Sequence, residues 1–306
     1  CSYVCSLLRP EIFRDLNLQK YGLQVLPYGG SVTFMQNGDI FGGYSDDDLA
    51  RREIGRFSKR DADAYVRFAR DVSRQCRFIK PMLLRTPPDP TSFKPKDLGE
   101  LMYLFKRLYS LGEQTIYDTI RFYTMSVAEY LDEYFESDVI KAALSGSGII
   151  GTGLGPYSPG TAYVLLHHYM GEVDGSIGSW GFARGGMGSI AKALADAFKD
   201  YDGELLTDAE VSQIIVKRGR AKGVVLSNGD EYYAKNIVSN LDVKRTYQKL
   251  FDPKDLSEKV LKQVDAFKIR GSSGKLNIAL DGMPEFPALG KNNPLIYADM
   301  HFIDSL

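Results

Sequence analysis

Between Val211 and Ala234 three short apolar runs, Val211–Lys217, 221–226 and 231–234, are separated by Gly219 and by Asn228-Gly229. Those separators supply the positive φ angles that tight hairpin turns need, so the stretch reads as a three-stranded antiparallel meander. A meander has a hydrophobic face that another layer must cover. Candidates for that layer lie on both sides. Arg184-Gly185-Gly186-Met187-Gly188 introduces a helix over 189–199, followed by a strand-like Glu204-Leu205-Leu206. After the meander, Ile237-Val238 reads as a short buried strand, and Asn240 begins a turn into a helix around 243–251. This order predicts an α/β arrangement and excludes a pure bundle or sandwich.

Upstream the pattern differs. The first twenty residues form a short helical pattern interrupted by Pro10. Residues 23–26 and 32–36 are strand-like, and Asn37-Gly38 predicts a hairpin returning through Asp39-Ile40-Phe41. From Tyr44 to about Gly146 the chain reads as helices. Ser45 precedes Asp46-Asp47-Asp48 and Ser58 stands three before Asp61, where a hydroxyl can accept an orphan N–H and an acid favours a helix N-terminus. Ala62, Tyr65, Ala69, Val72, Cys76 and Ile79 recur at intervals of three and four, one stripe facing a core. Pro87, Pro88, Pro90 and Pro95 mark a stiff connection, and Ser126-x-x-Glu129 is a capping-box pattern. Tyr103, Phe105, Tyr109, Tyr117, Phe122, Tyr123, Tyr130, Tyr134 and Phe135 are dense here. They fit ordinary helix packing or a wall around a bulky apolar or aromatic ligand.

Composition narrows the function classes. The balance of 38 basic and 39 acidic residues argues against a nucleic-acid binder, which carries a basic excess or stripe. No run of apolar residues is long enough for a transmembrane helix, which leaves peripheral membrane contact open. Cys1, Cys5 and Cys76 have neither disulfide-framework nor zinc-site spacing, so a reducing compartment is the simpler reading: the cytoplasm, or the mitochondrial matrix if the source is eukaryotic. The three histidines are His167, His168 and His301; adjacent helical residues diverge by about 100°, so His167 and His168 cannot share one metal face and no metal site is expected. The opening at Cys1 and the strand-like 296–302 at the other end both read as cut, as in an internal piece of a longer protein.

Two glycine-rich motifs could carry anion chemistry. Gly146-Ser147-Gly148-Ile149-Ile150-Gly151 fits the dinucleotide fingerprint in letters, but that fingerprint needs a strand before it and a helix after it. Here a helical run precedes and Pro156 and Pro159 follow, so a flexible loop is expected. Gly185 and Gly186, at a helix N-terminus, let backbone N–H groups approach an anion or ring system; the bland alternative is a tight turn into a packed helix.

From Arg184 to Asp242 the order is Arg-Gly-Gly-Met-Gly, helix, Asp202-Gly203-Glu204, Asp208-Ala209-Glu210-Val211, meander, then Val238-Ser239-Asn240-Leu241-Asp242. This resembles the middle of phytoene dehydrogenase-like flavoproteins, which share the fold of amine oxidases and carotenoid desaturases. The stretch from Ser6-Leu7-Leu8-Arg9-Pro10 to Tyr163-Val164-Leu165-Leu166-His167-His168 is similar to the branch called pyridine nucleotide-disulphide oxidoreductase domain-containing protein 2.

The resemblance implies a fold and a set of roles. An α+β substrate domain (1–183, helix-rich with a β-hairpin, and again 246–306) would accompany part of a Rossmann-type FAD domain with the meander (184–245). The N-terminal βαβ unit and the C-terminal FAD segment would lie outside these residues. It implies FAD in the intact protein, with Val211 meeting the adenine end through its backbone, Ser239 and Asn240 close to the cofactor domain's core, and Gly185 and Gly186 on the cofactor side. The piece alone would not retain FAD. The flavin would accept a hydride from an apolar small-molecule substrate. No residue presents itself as a catalytic acid or base; Tyr163 and His167 come nearest and are assigned to substrate, against packing or capping roles. The alternatives are a non-catalytic interaction protein on the same scaffold and an amine oxidase. Residues 275–280 are expected to form a strand of the substrate domain.

Overall fold

The computed structural model describes residues 4–27, 29–110, 112–271, 273–290, 293–303 and 305–306. Cys1 lies outside them. The chain divides into two compact units: Cys1–Ala197 with Ser272–Leu306, and Phe198–Gly271. The expected borders were 183/184 and 245/246. The units themselves divide at 197/198, within a helix that packs Ala193 and Ala197 into the first unit's second core, and at 271/272.

The first unit opens with α1 (Pro10–Asp15), which Pro10 starts rather than interrupts. At the first helical position proline's missing N–H has no intrahelical partner to lose. β1 (Val25–Pro27) follows, then β2 (Gly30–Phe34) and β3 (Ile40–Tyr44), the expected hairpin. Its turn holds Gly38 at φ 85°, and the Asn37 Oδ1 accepts the Asp39 N–H. Helices α2 (Asp47–Phe57) and α3 (Lys59–Ile79) come next. Asp46, not Ser45, caps α2, accepting the Leu49 N–H. Ser58 caps α3 by accepting the Asp61 N–H.

Asp61 itself turns away from its own helix. Its buried carboxylate accepts the N–H groups of Glu136 and Ser137, just before α7. Between them run α4 (Pro95–Tyr109), α5 (Gly112–Thr124) and α6 (Val127–Asp132), the last with the complete Ser126–Glu129 capping box. α7 (Asp138–Ile149) and α8 (Thr161–Tyr169) complete the helical body. The core is aromatic and aliphatic: Phe68 on α3 meets Tyr134 edge-on at 5.5 Å and Phe135 at 5.3 Å, beside Leu131, Ile140, Leu165 and Leu166. The 146–151 motif, expected as a loop, is helical through Ile149. Gly148 sits where a Cβ would lie 2.8 Å from three carbons of Val127, so α6 and α7 approach only because it has none.

The chain then forms a small hairpin of β4 (Glu172–Val173) and β5 (Ser176–Ile177), and β6 (Gly181–Ala183) pairs antiparallel with β1. Helix α9 (Gly188–Asp200) packs Ala193 and Ala197 into a second core with Leu18, Leu23 and Cys5.

The second unit carries the expected meander: β7 (Val211–Lys217), β8 (Arg220–Leu226) and β9 (Glu231–Tyr233), in that order across the sheet. Positive φ at Arg218, Gly219 and Gly229 makes the two turns. A helical turn at Arg245–Lys249 and α10 (Glu258–Ala266) complete it, with Ile214, Leu226, Leu250 and Val264 buried. Glu204-Leu205-Leu206 and Ile237-Val238 are not strands, and Val238 is 90% exposed. A strand exists only through a partner's hydrogen bonds, and these runs have none among the described residues.

Back in the first unit, 275–280 is not part of a strand, contrary to the expectation. β10 (Asp299–His301) does find a partner, lying parallel to β2, so the sheet runs β10-β2-β3. Val32, Leu289 and Leu295 form a third small core behind it.

Candidate functional site

The glycine turn between β6 and α9 belongs to the first unit. Gly185 and Gly186 have φ of 82° and 86°, and nothing lies within 4 Å of a Cβ added at either, or at Gly188. The Gly186 N–H is used within the turn, donating to Ala183 O, and the Ser189 Oγ donates to Gly186 O. The N–H groups of Gly185 and Met187 donate to nothing among the described residues. A strand, an open glycine turn and a thirteen-residue helix therefore stand in the order an anion-binding turn requires. That order is absent at 146–151. β6 pairs antiparallel, however, so this is not the first turn of a parallel βαβ unit.

Tyr163 and His167 occupy one face of α8, a single turn apart, with ring centroids 6.0 Å apart. Tyr163 stacks on Tyr123 of α5 at 4.5 Å and 17°. Burial, reinforced by the neighbouring Tyr163, pushes the Tyr123 phenol up to about 12. His167 moves the other way: burial and then the adjacent His168 hold its imidazole below the ordinary value. Both shifts favour the uncharged forms, so Tyr123 and His167 are neutral near pH 7. His168 points elsewhere, donating Nδ1–H to Val164 O at 2.8 Å if that tautomer is present, and stacking on Trp180 at 5.6 Å. No three His, Cys, Asp or Glu side chains gather to hold a metal among the described residues.

Val211, Ser239 and Asn240 belong to the second unit. Val211 is the first ladder residue of β7, opposite Leu226, and the register slips immediately after it. β7 is an edge strand; its outer edge is closed at Ile214, which donates to Leu250 O, and is open at Val211 among the described residues. Ser239 Oγ meets Thr246 Oγ1 at 2.8 Å, tying the 237–241 segment to the same helical turn. Asn240 is exposed.

Two features escaped the sequence reading. Lys80, one residue beyond the helical stripe ending at Ile79, is buried and ion-paired to Glu172 of β4. Glu172 also lines a cavity of about 410 Å³ with Cys5, Leu8, Phe13, Val25 and Asp174. Neither lysine nor glutamate carries a local signal, because each gains its partner across 92 positions.

The model of the family described as flavin containing amine oxidoreductase matches residues 105–295. This chain belongs to that family. Among its relatives, the mouse pyridine nucleotide-disulfide oxidoreductase domain-containing protein 2 is 32% identical over 94% of this chain and 52% of its own length. A phytoene desaturase (neurosporene-forming) of Rhodobacter capsulatus is 27% identical over 72% of this chain and 38% of its own. The chloroplastic prolycopene isomerase 2 of an Oncidium hybrid cultivar is 31% identical over 55% and 28%. The chain thus spans about half the length of the first of these relatives, and less of the others. Membership of a flavin family implies a bound flavin, and the open glycine turn with two uncommitted N–H groups fits an anionic portion of such a group.

Proposed function

We propose that the protein works as a FAD-dependent oxidoreductase, dehydrogenating or desaturating an apolar substrate. The match to the flavin family over most of the chain carries this reading. Relatives named as phytoene desaturases and prolycopene isomerases support an apolar substrate over an amine. When bound, the flavin accepts the hydride; the polypeptide binds, orients and excludes water. Gly185 and Met187 N–H groups face the cofactor's anionic portion. Within the second unit, Val211 at the open edge of β7 is the candidate for the adenine, and Ser239 and Asn240 of the same unit are further cofactor candidates. Tyr163, stacked on Tyr123, supplies a flat apolar wall for substrate, and the neutral His167 beside it adds no charge to repel a hydrocarbon. Both described cysteines are free and buried, which supports a reducing compartment, the cytoplasm or a mitochondrial matrix.

The whole protein is expected to be yellow as isolated, with flavin absorbance that bleaches under anaerobic substrate. A protein that stays colourless after FAD is added supports instead a scaffold without catalysis. For the 306 residues alone we expect no stoichiometric FAD. A neutral backbone bond contributes about 0.5–1.5 kcal/mol net, and a few cannot offset the several kcal/mol lost on immobilising a large ligand. Dialysis of this chain against excess FAD, followed by an absorbance spectrum, tests that; a stable one-to-one yellow complex would overturn it.

A further inference from the structure

Helix α4 has no fully buried side chain along its fifteen residues. One side is nevertheless seated: Leu101, Leu104 and Leu108 are half-buried, Leu108 against the main core, and Arg107 donates to the carbonyl oxygens of Phe78 and Arg77. A second stripe faces outward. Leu98, Met102, Phe105 and Tyr109 are spaced four, three and four apart, which places them within about 60° of arc on a helix. They are 47%, 54%, 62% and 79% exposed, and Phe93, just before the helix, is 90% exposed. A continuous apolar stripe on a formed, anchored helix marks an interaction surface.

Charge identifies the partner. Lys94 and Lys106 flank the stripe on either side, and neither pairs with a carboxylate among the described residues. Of the acids of the same helix, Glu100 is matched by Arg85 at 2.7 and 2.9 Å, and Asp97, which accepts the Asp89 N–H, lies on the seated side with Leu101, Leu104 and Leu108, away from the stripe. The free charge beside the stripe is therefore positive, in a chain whose net charge is -1. A second copy docked about a two-fold axis would set these lysines against their own kind.

We propose that α4 docks on the surface of a bilayer bearing anionic lipids, its stripe at the headgroup–acyl boundary and its lysines among the phosphates. Fifteen residues make about 22 Å of helix, too short to span a hydrocarbon core of about 30 Å but suited to lying in its interface. This proposal stands independently of the flavin reading, because vesicle binding requires no cofactor.

Flotation of the intact protein with phosphatidylcholine vesicles, with and without one third phosphatidylglycerol, tests it at low and high salt. Binding to the anionic vesicles is expected, reduced at least about tenfold by Met102→Glu with Phe105→Glu. Lys94→Glu with Lys106→Glu is expected to abolish the preference for anionic vesicles and most of the salt dependence. Both pairs are exposed, so melting temperatures should not move; if the first variant fails to fold, the lysine variant decides. No vesicle binding, or equal binding by wild type and both variants, overturns the proposal. So does a smaller oligomer on size exclusion for Met102→Glu with Phe105→Glu, which would make the stripe a self-association face.

Discussion

Asp61 on α3 accepts the backbone N–H of Ser137 at 2.9 Å, so the N-terminus of α7 is capped by a carboxylate 76 positions away. The Ser137 side chain, in the N-cap position, makes no capping bond of its own. The same carboxylate also takes the Glu136 N–H, and Asp61 itself is fully buried.

Removing that carboxylate leaves two amide donors without a partner. Asp61→Ala should lower the stability of the helical body by about 1.5–3 kcal/mol, the range for a hydrogen bond to a charged group. Asp61→Asn, which keeps an accepting oxygen, should lose less. Urea unfolding followed by helical circular dichroism measures both; equal midpoints for wild type and Asp61→Ala would show the cap to be idle.

The α6–α7 contact makes a second, paired test. Gly148→Ala should destabilise by about 1–3 kcal/mol, because the new methyl falls on Val127. Val127→Ala makes room for it, so the double variant should lose less than the two single losses added together. Strict additivity in a double-mutant cycle would mean that the helices shift apart instead.

His167 should make part of the pH dependence of stability. Its folded pKa lies below the ordinary value, so between the two values the unfolded chain binds more protons, and stability rises with pH there. The contribution is present above the unfolded value of about 6.5 and is lost as pH falls through the folded one. Denaturation midpoints for wild type should therefore drop between neutral and mildly acidic pH, and His167→Gln should drop less. An imidazole titration by NMR with a midpoint at or above the ordinary value would contradict this.

At the glycine turn, Gly186→Ala forces a side chain into φ of 86° at a cost of about 1–2 kcal/mol. If the turn serves the cofactor, the same substitution in the whole protein should also weaken FAD retention at least about tenfold. Flavin release during dialysis reads this directly, and unchanged retention would reduce the turn to a helix start.

Substrate contact at α8 can be separated from packing. Tyr163→Phe keeps the ring on Tyr123 and should leave KM for an apolar substrate within about twofold, whereas Tyr163→Ala should raise it about tenfold or more through the lost apolar face. Steady-state kinetics on the flavin-loaded protein decide it; equal effects of both changes would point to the hydroxyl.

Local grammar was the legible part of the sequence. Gly219 and Asn228-Gly229 placed the meander turns, and Ser126 with Glu129 placed the start of α6, because turns and caps are settled within four residues. Asp61 shows where this stops: it reads as a first-turn acid, yet its partners lie 75 and 76 positions on. Lys80 and Glu172, and Tyr123 and Tyr163, are likewise pairs made only by folding. Residues 275–280 and Ile237-Val238 fail in the opposite sense. They have strand composition, but composition cannot supply the neighbouring strand that completes one.

Cys76 sits on the buried face of α3, where burial pushes its thiol up to about 12. Only thiolate is nucleophilic, so in the closed core this sulfur is silent toward alkylating reagents and mild oxidants. Its rate of modification therefore keeps time for the core, advancing only during the brief intervals when α3 lifts from α8 and water enters. The helical body carries its own clock for breathing, readable without any added probe in the fold.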